Sequence, residues 1–271
     1  MKLRKLVEDI RKKKELNDLS YDFILGLLKE YIKINSHLNK NIGWISNPKS
    51  KNYKKTIKDL RKILREVYGV FKDKDFLTKE ILLEDISGLK DIDAHIELLK
   101  LHASTKERLP YYFEVYGKIV GLVDKMDTIL DLGAGFNPLS MPFMDFKIKN
   151  YCAVELTEND VIFLNKYFKK VHVRGHAIVK DLTKVGDLPQ VDVCFIFKLL
   201  DTLETLKKDV SEEILKGLNA RWVIISFATK SLGGKKNISK NRLKWFKEII
   251  KNYEYKEFEI PNEIFFVIKL K

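Results

Sequence analysis

From Thr128 to Lys271 short apolar runs alternate with stretches of helical period, and this alternation constrains the fold more than any other feature of the chain. TILDL (128–132), YCAVEL (151–156), VHVRG (171–175), VDVCFIF (191–197), RWVIISF (221–227), YEYKEFEI (253–260) and EIFFVIKL (263–270) read as strands. Helical stretches fit between them at 157–170, 201–218 and 240–252. Several runs are apolar at consecutive positions, so both faces must be covered, and a mostly parallel sheet between layers of helices follows. Only Pro261 and Asn262 separate the last two runs. That connection is too short for a crossover, so these two strands form an antiparallel hairpin at a sheet edge.

The first third of the chain is helical by period. Leu3, Leu6, Val7 and Ile10 recur at helical spacing, as do Phe23, Ile24, Leu27, Leu28, Tyr31 and Ile32 behind a Ser20 cap. A third set, Tyr53, Ile57, Leu60, Leu64, Val67 and Tyr68, follows a loop at 42–52, and further helices are expected at about 77–101 and 104–125. Residues 1–75 hold 20 Lys and Arg against ten Asp and Glu, which is +10 of the chain's net +13. A basic module beside a near-neutral one suggests a polyanionic partner, although a lysine-rich solvated surface is an equally open reading.

Other classes are excluded by composition. With 45% hydrophobic residues recurring periodically, disorder is not the main state. No apolar run approaches the roughly 18–20 residues that cross a bilayer, so no membrane partner is expected. The N-terminus, MKLRKLVEDIRKKKEL, lacks the apolar core of a signal peptide, which points to a cytoplasmic protein. Cys152 and Cys194 lie in strand-like runs without metal spacing and read as buried thiols in a reducing compartment. No metal site is expected.

One turn carries chemistry. Asp131-Leu132-Gly133-Ala134-Gly135 follows the first strand, at the carboxyl end where open α/β sheets bind ligands. Glycine there lets the backbone approach a ligand without a Cβ in the way. Glu155 ends the second strand, placed to accept both hydroxyls of a ribose, and Asp181 follows the third, where it can meet an adenine amino group. As structural residues, the two acids would be a solvated strand end and a helix cap. The order favours a nucleoside cofactor, and spacing alone does not separate a nicotinamide dinucleotide from S-adenosylmethionine. GAGFNP lacks the third glycine of the dinucleotide fingerprint.

A parallel sheet closed by such a hairpin resembles the Class I (Rossmann-like) methyltransferases, here with an expected seven-stranded sheet and an N-terminal all-helical domain. LHASTKERLPYY (101–112), DLGAGFNPLSMPFM (131–144), FKLLDTLE (197–204), ISFATKSLGGK (225–235) and NEIFFVI (262–268) narrow the likeness. In this order they resemble the Arm/Rmt/Sgm family of 16S ribosomal RNA guanine-N7 methyltransferases, the aminoglycoside-resistance enzymes of the decoding site. The resemblance covers about residues 95–271. It implies S-adenosyl-L-methionine as cofactor, and ribosomal RNA, in the 30S subunit, as the partner of a monomer. Residues 1–100 would be a basic helical RNA-binding domain and 101–271 the methyltransferase domain.

The resemblance also implies roles for individual residues. Arg108 would bind the cofactor carboxylate, with His102, Ser104 and Thr105 shaping its turn. Gly133, Ala134 and Gly135 would pass under the methionine moiety, Glu155 would hold the ribose, and Asp181 and Leu182 would bracket the adenine. Lys198 would lie at the target base beside the cofactor, as the catalytic-site residue. Lys230, Ser231, Gly233, Gly234, Lys235 and Lys236 would form a loop against the RNA. This chain has Glu155 where the family more often has aspartate, and Ala228 where proline is usual.

The missing motifs agree with an N7 target. Phe197-Lys198-Leu199-Leu200 stands where amino-group methyltransferases carry Asn/Asp-Pro-Pro-aromatic, and Cys194 lies inside a strand, away from any nucleophile's loop. Guanine N7 has an in-plane lone pair and no proton to remove, so placement in line with the methyl suffices and no general base is expected. Arg108 suits a carboxylate because its guanidinium fork matches one bidentately, unless an internal acid claims it. Two other readings stay open: a methyltransferase for another RNA, and a non-catalytic RNA-binding assembly factor.

Overall fold

The computed structural model describes residues 2–40, 42–69, 76–184, 186–230 and 238–271, and it joins the apolar runs into one seven-stranded sheet. The strands are β1 (Thr128–Leu132), β2 (Asn150–Glu155), β3 (Gly175–Val179), β4 (Val191–Phe197), β5 (Ala220–Ala228), β6 (Glu254–Ile260) and β7 (Glu263–Lys269). Their spatial order is β3-β2-β1-β4-β5-β7-β6. All neighbours are parallel except β7, which runs antiparallel to both β5 and β6. This is the expected Class I topology. Every residue of β4 is buried, as a central strand covered on both faces requires. β1 lies between β2 and β4, so its carboxyl end is the switch point of the sheet, with β2 and β3 on one side and β4 and β5 on the other.

The third strand is shifted from its expected place. Residues 171–174 form a turn in which His172 takes a φ of 55°, and the strand begins at Gly175. The apolar VHV run reverses the chain after helix α9 (Glu158–Lys170), and Val171 is buried as part of that reversal. Asn165 of α9 then pins the strand: Ala177 N donates to its Oδ1 at 2.9 Å, and its Nδ2 donates to Ala177 O at 3.1 Å.

Long expected helices are broken at identifiable residues. The 77–101 stretch is two helices, α5 (Phe76–Asp85) and α6 (Ile92–Leu99), separated where Asp91 caps α6 by accepting from Ala94 N. The 104–125 stretch becomes α7 (Ala103–Arg108) and α8 (Tyr112–Val120), with Pro110 in the tighter turn between them. Proline offers no N–H to an α-helical ladder, which explains the break. Asp209, at a φ of 63°, likewise splits 201–218 into α10 (Leu200–Leu206) and α11 (Val210–Gly217). The 240–252 stretch shortens to α12 (Lys244–Ile249) behind a 3-10 turn at Lys240–Leu243.

Two compact units divide at Lys72 and Asp73, whereas the sequence reading drew its boundary at residue 100. The difference has a packing cause. Leu83, Ile86, Leu98 and Leu99 are buried in one cluster with Tyr112, Tyr116, Phe163 and Phe195, so α5 and α6 complete the core of the sheet-containing unit. Buried His95 adds a polar tie, with Nε2 3.0 Å from Tyr167 Oη of α9.

The first unit is a helical bundle with α1 (Lys2–Arg11), α2 (Tyr21–Ile34), α3 (Ser36–Asn39) and α4 (Lys51–Leu64). Leu6, Val7, Ile10, Ile24, Leu28, Leu60 and Leu64 are fully buried, the faces read from periodicity. Ser20 and Ser50 cap α2 and α4 by accepting from Phe23 N and Tyr53 N. No described helix is long and apolar enough to cross a membrane.

Candidate active site

The glycine turn closes directly onto β2. Gly133 N and Ala134 N both donate to Val154 O, at 2.9 and 3.2 Å, which folds the turn back over the end of the neighbouring strand. Gly133 and Gly135 have φ of 63° and 51°, a region that favours glycine. A Cβ on Gly133 would lie 2.8 Å from the Leu199 side chain, and one on Gly135 would lie 3.2 Å from the His102 ring. The HASTKER segment therefore packs its histidine against the bare second glycine. Thr105 Oγ1 donates to Leu99 O at 2.6 Å and fixes that segment to the end of α6.

Beneath the turn lies a buried polar chain. Asp131 is 1% exposed and accepts at Oδ2 from Tyr151 Oη (2.6 Å) and Asn137 Nδ2 (3.0 Å). Burial pushes its carboxyl up to about 6. Asn137 Oδ1 in turn accepts from Arg108 Nη1 at 3.3 Å. Asn137 was absent from the sequence-derived site, although its place in GAGFNP marked it as part of the turn.

Glu155 lies at the lip of the turn, half-buried, accepting from Gly135 N at 2.5 Å and from Leu156 N at 3.0 Å. Burial first, and the nearby Asp160 carboxylate second, raise it to about 7. Two backbone amides fix its orientation. Asp181 is half-buried and accepts at Oδ1 from Thr183 N (3.0 Å) and Thr183 Oγ1 (2.6 Å), with Lys184 Nζ 3.2 Å from Oδ2. Its carboxylate thus holds a local turn. Leu182 beside it is buried.

Arg108 and Lys198 share one carboxylate. Arg108, 1% exposed at the end of α7, donates from Nη2 to Glu263 Oε1 (2.7 Å) and from Nε to Glu263 Oε2 (3.1 Å). Its guanidinium carbon lies 4.7 Å from the centroid of the Phe197 ring. The fork that sequence reading reserved for a cofactor carboxylate is engaged by an internal acid. Only the Nη1 side faces the glycine turn, through Asn137. Lys198 Nζ lies 3.0 Å from Glu107 Oε2 and 3.3 Å from Glu263 Oε2, and its side chain is 7% exposed.

Burial opposes both charges of the Arg108–Glu263 pair, yet each stabilises the other. The guanidinium is held above its ordinary range by Glu263, and Glu263 below its own by Arg108 and Lys198. Sequence reasoning missed Glu263, 155 positions from its partner. The available signal was one acid opening an otherwise apolar run, since a charge buried there requires a partner.

The proposed RNA loop is only partly described. Lys230 is half-buried at the end of β5, and Ser231, Gly233, Gly234, Lys235 and Lys236 lie outside the described residues. The flanks of the loop are drawn together: Ile238 N donates to Thr229 O at 2.7 Å. Arg242 Nη2 bonds Ala228 O (2.9 Å) and Asp201 (2.8 Å). Arg242 thus ties the segment after the loop to the end of β5 and to α10.

Within the helical unit, Lys13, Lys54, Ile57, Lys58, Arg61 and Arg65 line a groove of about 400 Å³. Arg61 donates to Asp9 O and Ile10 O, and Arg65 pairs with Glu15 at 2.8 Å. Lys13, Lys54 and Lys58 are exposed and carry no ion pair among the described residues. Trp44 and Tyr53, possible stacking platforms by type, are both core: Trp44 Nε1 donates to Leu38 O, and Tyr53 Oη to Asp9.

Comparison with known proteins identifies the family. A family model described as ribosomal RNA methyltransferase (FmrO) matches residues 57–250. A 16S rRNA (guanine(1405)-N(7))-methyltransferase of Frankia casuarinae is 28% identical over 229 residues, 79% of each chain. Its counterpart in Micromonospora echinospora is 27% identical, covering 79% of this chain and 82% of the relative. The crystal structure of the 16S rRNA methyltransferase RmtF, in complex with S-adenosyl-L-homocysteine, shares the fold. Its TM-score is 0.81 at 22% identity, over 99% of this chain and 98% of that one. A family model spanning residues 57–250, on a Class I sheet with the glycine turn at its switch point, means that the chain belongs to the ribosomal RNA methyltransferase (FmrO) family.

Proposed function

We propose that this protein transfers the methyl group of S-adenosyl-L-methionine to N7 of a guanine in 16S ribosomal RNA, acting as a monomer on the 30S subunit in the cytoplasm. The observation that carries the reading is the Gly133–Gly135 turn with Glu155 held at its lip, at the switch point of the sheet. Glycine at both positions lets the turn pack tightly against Leu199 and His102, which fixes the backbone that a cofactor would lie along. The curated relatives' guanine N7 specificity supports the same atom as target.

The cofactor supplies a methyl on a sulfonium, whose sulfur departs as a neutral thioether. The chain's own residues then have to bind and align. Glu155 would accept the ribose hydroxyls, and Leu182 would pack against the adenine with Asp181 fixing the turn around it. Arg108 would meet the methionine carboxylate through its Nη1 side. Lys198, at the end of β4, would orient the guanine through O6. N7 needs no proton removed, so no side chain has to act as a base, and in-line placement carries the rate.

The groove of Lys13, Lys54 and Lys58 would contact phosphates, giving affinity and salt dependence without sequence choice. Lys230, with the loop that follows, would serve the same end beside the target. A methyl at a decoding-site guanine would adds a positive charge where aminoglycosides dock, which is the resistance outcome the family resemblance implies. The test is methyl transfer to isolated 30S subunits, free 16S rRNA and tRNA, followed by mass-spectrometric mapping. N7-methylguanosine in 16S rRNA is the expected product, and transfer to none of the three RNAs defeats the reading.

A further inference from the structure

Lys198 has a φ of 53°, in the left-handed region that L side chains other than asparagine and aspartate rarely adopt. A strained residue persists only where its surroundings over-determine it, and here the surroundings can be named. Lys198 N donates to Ser226 O at 3.0 Å and lies 3.1 Å from Ser226 Oγ. The same Ser226 Oγ donates to Glu263 Oε1 at 2.5 Å. Glu263 Oε2 lies 3.3 Å from Lys198 Nζ, and Nζ also bonds Glu107. The contacts close a ring that grips Lys198 at both its backbone nitrogen and its side-chain nitrogen.

The two gripping residues sit on paired strands, Ser226 on β5 and Glu263 at the start of β7, where Ala228 is the register partner of Glu263. Ser226 is fully buried and Glu263 is 1% exposed, so neither is open to solvent. The same carboxylate also takes Arg108 Nε and Nη2.

We infer that Ser226 and Glu263 are a positioning pair. They hold Lys198 in its left-handed conformation and aim it at the target base, while the same Glu263 carboxylate, through both of its oxygens, sets Arg108 on the cofactor side. One carboxylate thereby ties the two halves of the reaction to a common reference. The inference rests on the proposed placing of Lys198 at the base, and it adds residues that do not touch RNA.

The test uses the full chain with Ser226→Ala, Glu263→Gln and Glu263→Asp. Single-turnover methyl transfer to 30S subunits is measured at saturating cofactor, together with KM for 30S, calorimetric S-adenosylhomocysteine affinity and thermal midpoint. Ser226→Ala keeps all four charges. It is expected to lower kcat about tenfold with KM for 30S unchanged, because a misaimed group costs rate more than binding. Its crystal structure is expected to show Lys198 relaxed out of positive φ. Glu263→Gln is expected to lose about 100-fold in kcat and to weaken S-adenosylhomocysteine binding, with Glu263→Asp recovering part of both.

A folded Ser226→Ala variant with wild-type kcat and Lys198 unmoved overturns the inference, as does a pair of Glu263 variants that lose thermal midpoint alone. If Glu263→Gln does not fold, Ser226→Ala decides by itself. A wild-type chain that methylates no RNA removes the proposed function and this inference together, whereas an active wild type with unchanged variants removes only the inference.

Discussion

Asn137 Nδ2 donates to Asp131 Oδ2 at 3.0 Å, tying the penultimate residue of β1, before the glycine turn, to the first helical turn beyond it. Tyr151 Oη reaches the same oxygen at 2.6 Å. An amide oxygen would satisfy both donors as well as a carboxylate does. Asp131→Asn should therefore fold.

The pH dependence follows from the raised carboxyl. Asp131 moves from 3.8 to about 6 on folding, so the native state binds the extra proton and wild-type stability falls as pH climbs through that interval. The loss amounts to about 3 kcal/mol at most. Asp131→Asn lacks this titration. Urea unfolding at pH 4.5 and pH 8 should show the variant gaining on wild type at the higher pH, and a constant difference would contradict the assignment.

Glu155 gives a second pH effect, on binding. Its carboxyl is raised to about 7 by burial and by Asp160, and a carboxylate that accepts ribose hydroxyls is wanted ionised. Ligand binding then expels the proton, so S-adenosylhomocysteine affinity should rise from pH 6 to pH 8, about tenfold across the interval. Glu155→Gln should bind more weakly and with a flat profile. Calorimetry at both pH values decides this, and parallel profiles for the two proteins would remove Glu155 from the site.

Gly133→Ala probes the turn. The new methyl meets Leu199 at 2.8 Å and forces an L residue to hold a φ of 63°. Strain of about 1 kcal/mol or more is expected in stability. The larger loss should appear in S-adenosylhomocysteine affinity, since either the turn or the Leu199 side chain beside it must move to relieve the contact. Unchanged affinity in calorimetry would mean that the ligand does not lie against this backbone.

Charge reversal in the helical unit separates RNA affinity from chemistry. Lys54→Glu combined with Lys58→Glu should weaken 30S binding and reduce its salt slope by about 1 per lost phosphate contact. Because Lys54 and Lys58 are exposed and belong to the other compact unit, S-adenosylhomocysteine affinity should stay the same. Filter binding across a salt series checks the first part. A slope equal to that of wild type would show that this groove takes no phosphate.

The sequence alone determined the sheet, the edge hairpin, the glycine turn and the acid at the end of β2, because each is written in local period or in residue type at a strand end. Local patterns are also where it fell short. The VHV run looked like a strand and is a helix exit, and residues 76–99 looked like part of a basic helical module although their leucines complete the sheet unit's core. Only the tertiary structure decided what Arg108 and Lys198 face. Their common partner, Glu263, reaches them because β7 turns back antiparallel beside β5, and no spacing in the chain encodes that meeting. Buried charges take whichever opposite charge folding brings within hydrogen-bond reach, so their pairing belongs to the assembled sheet rather than to any segment of it.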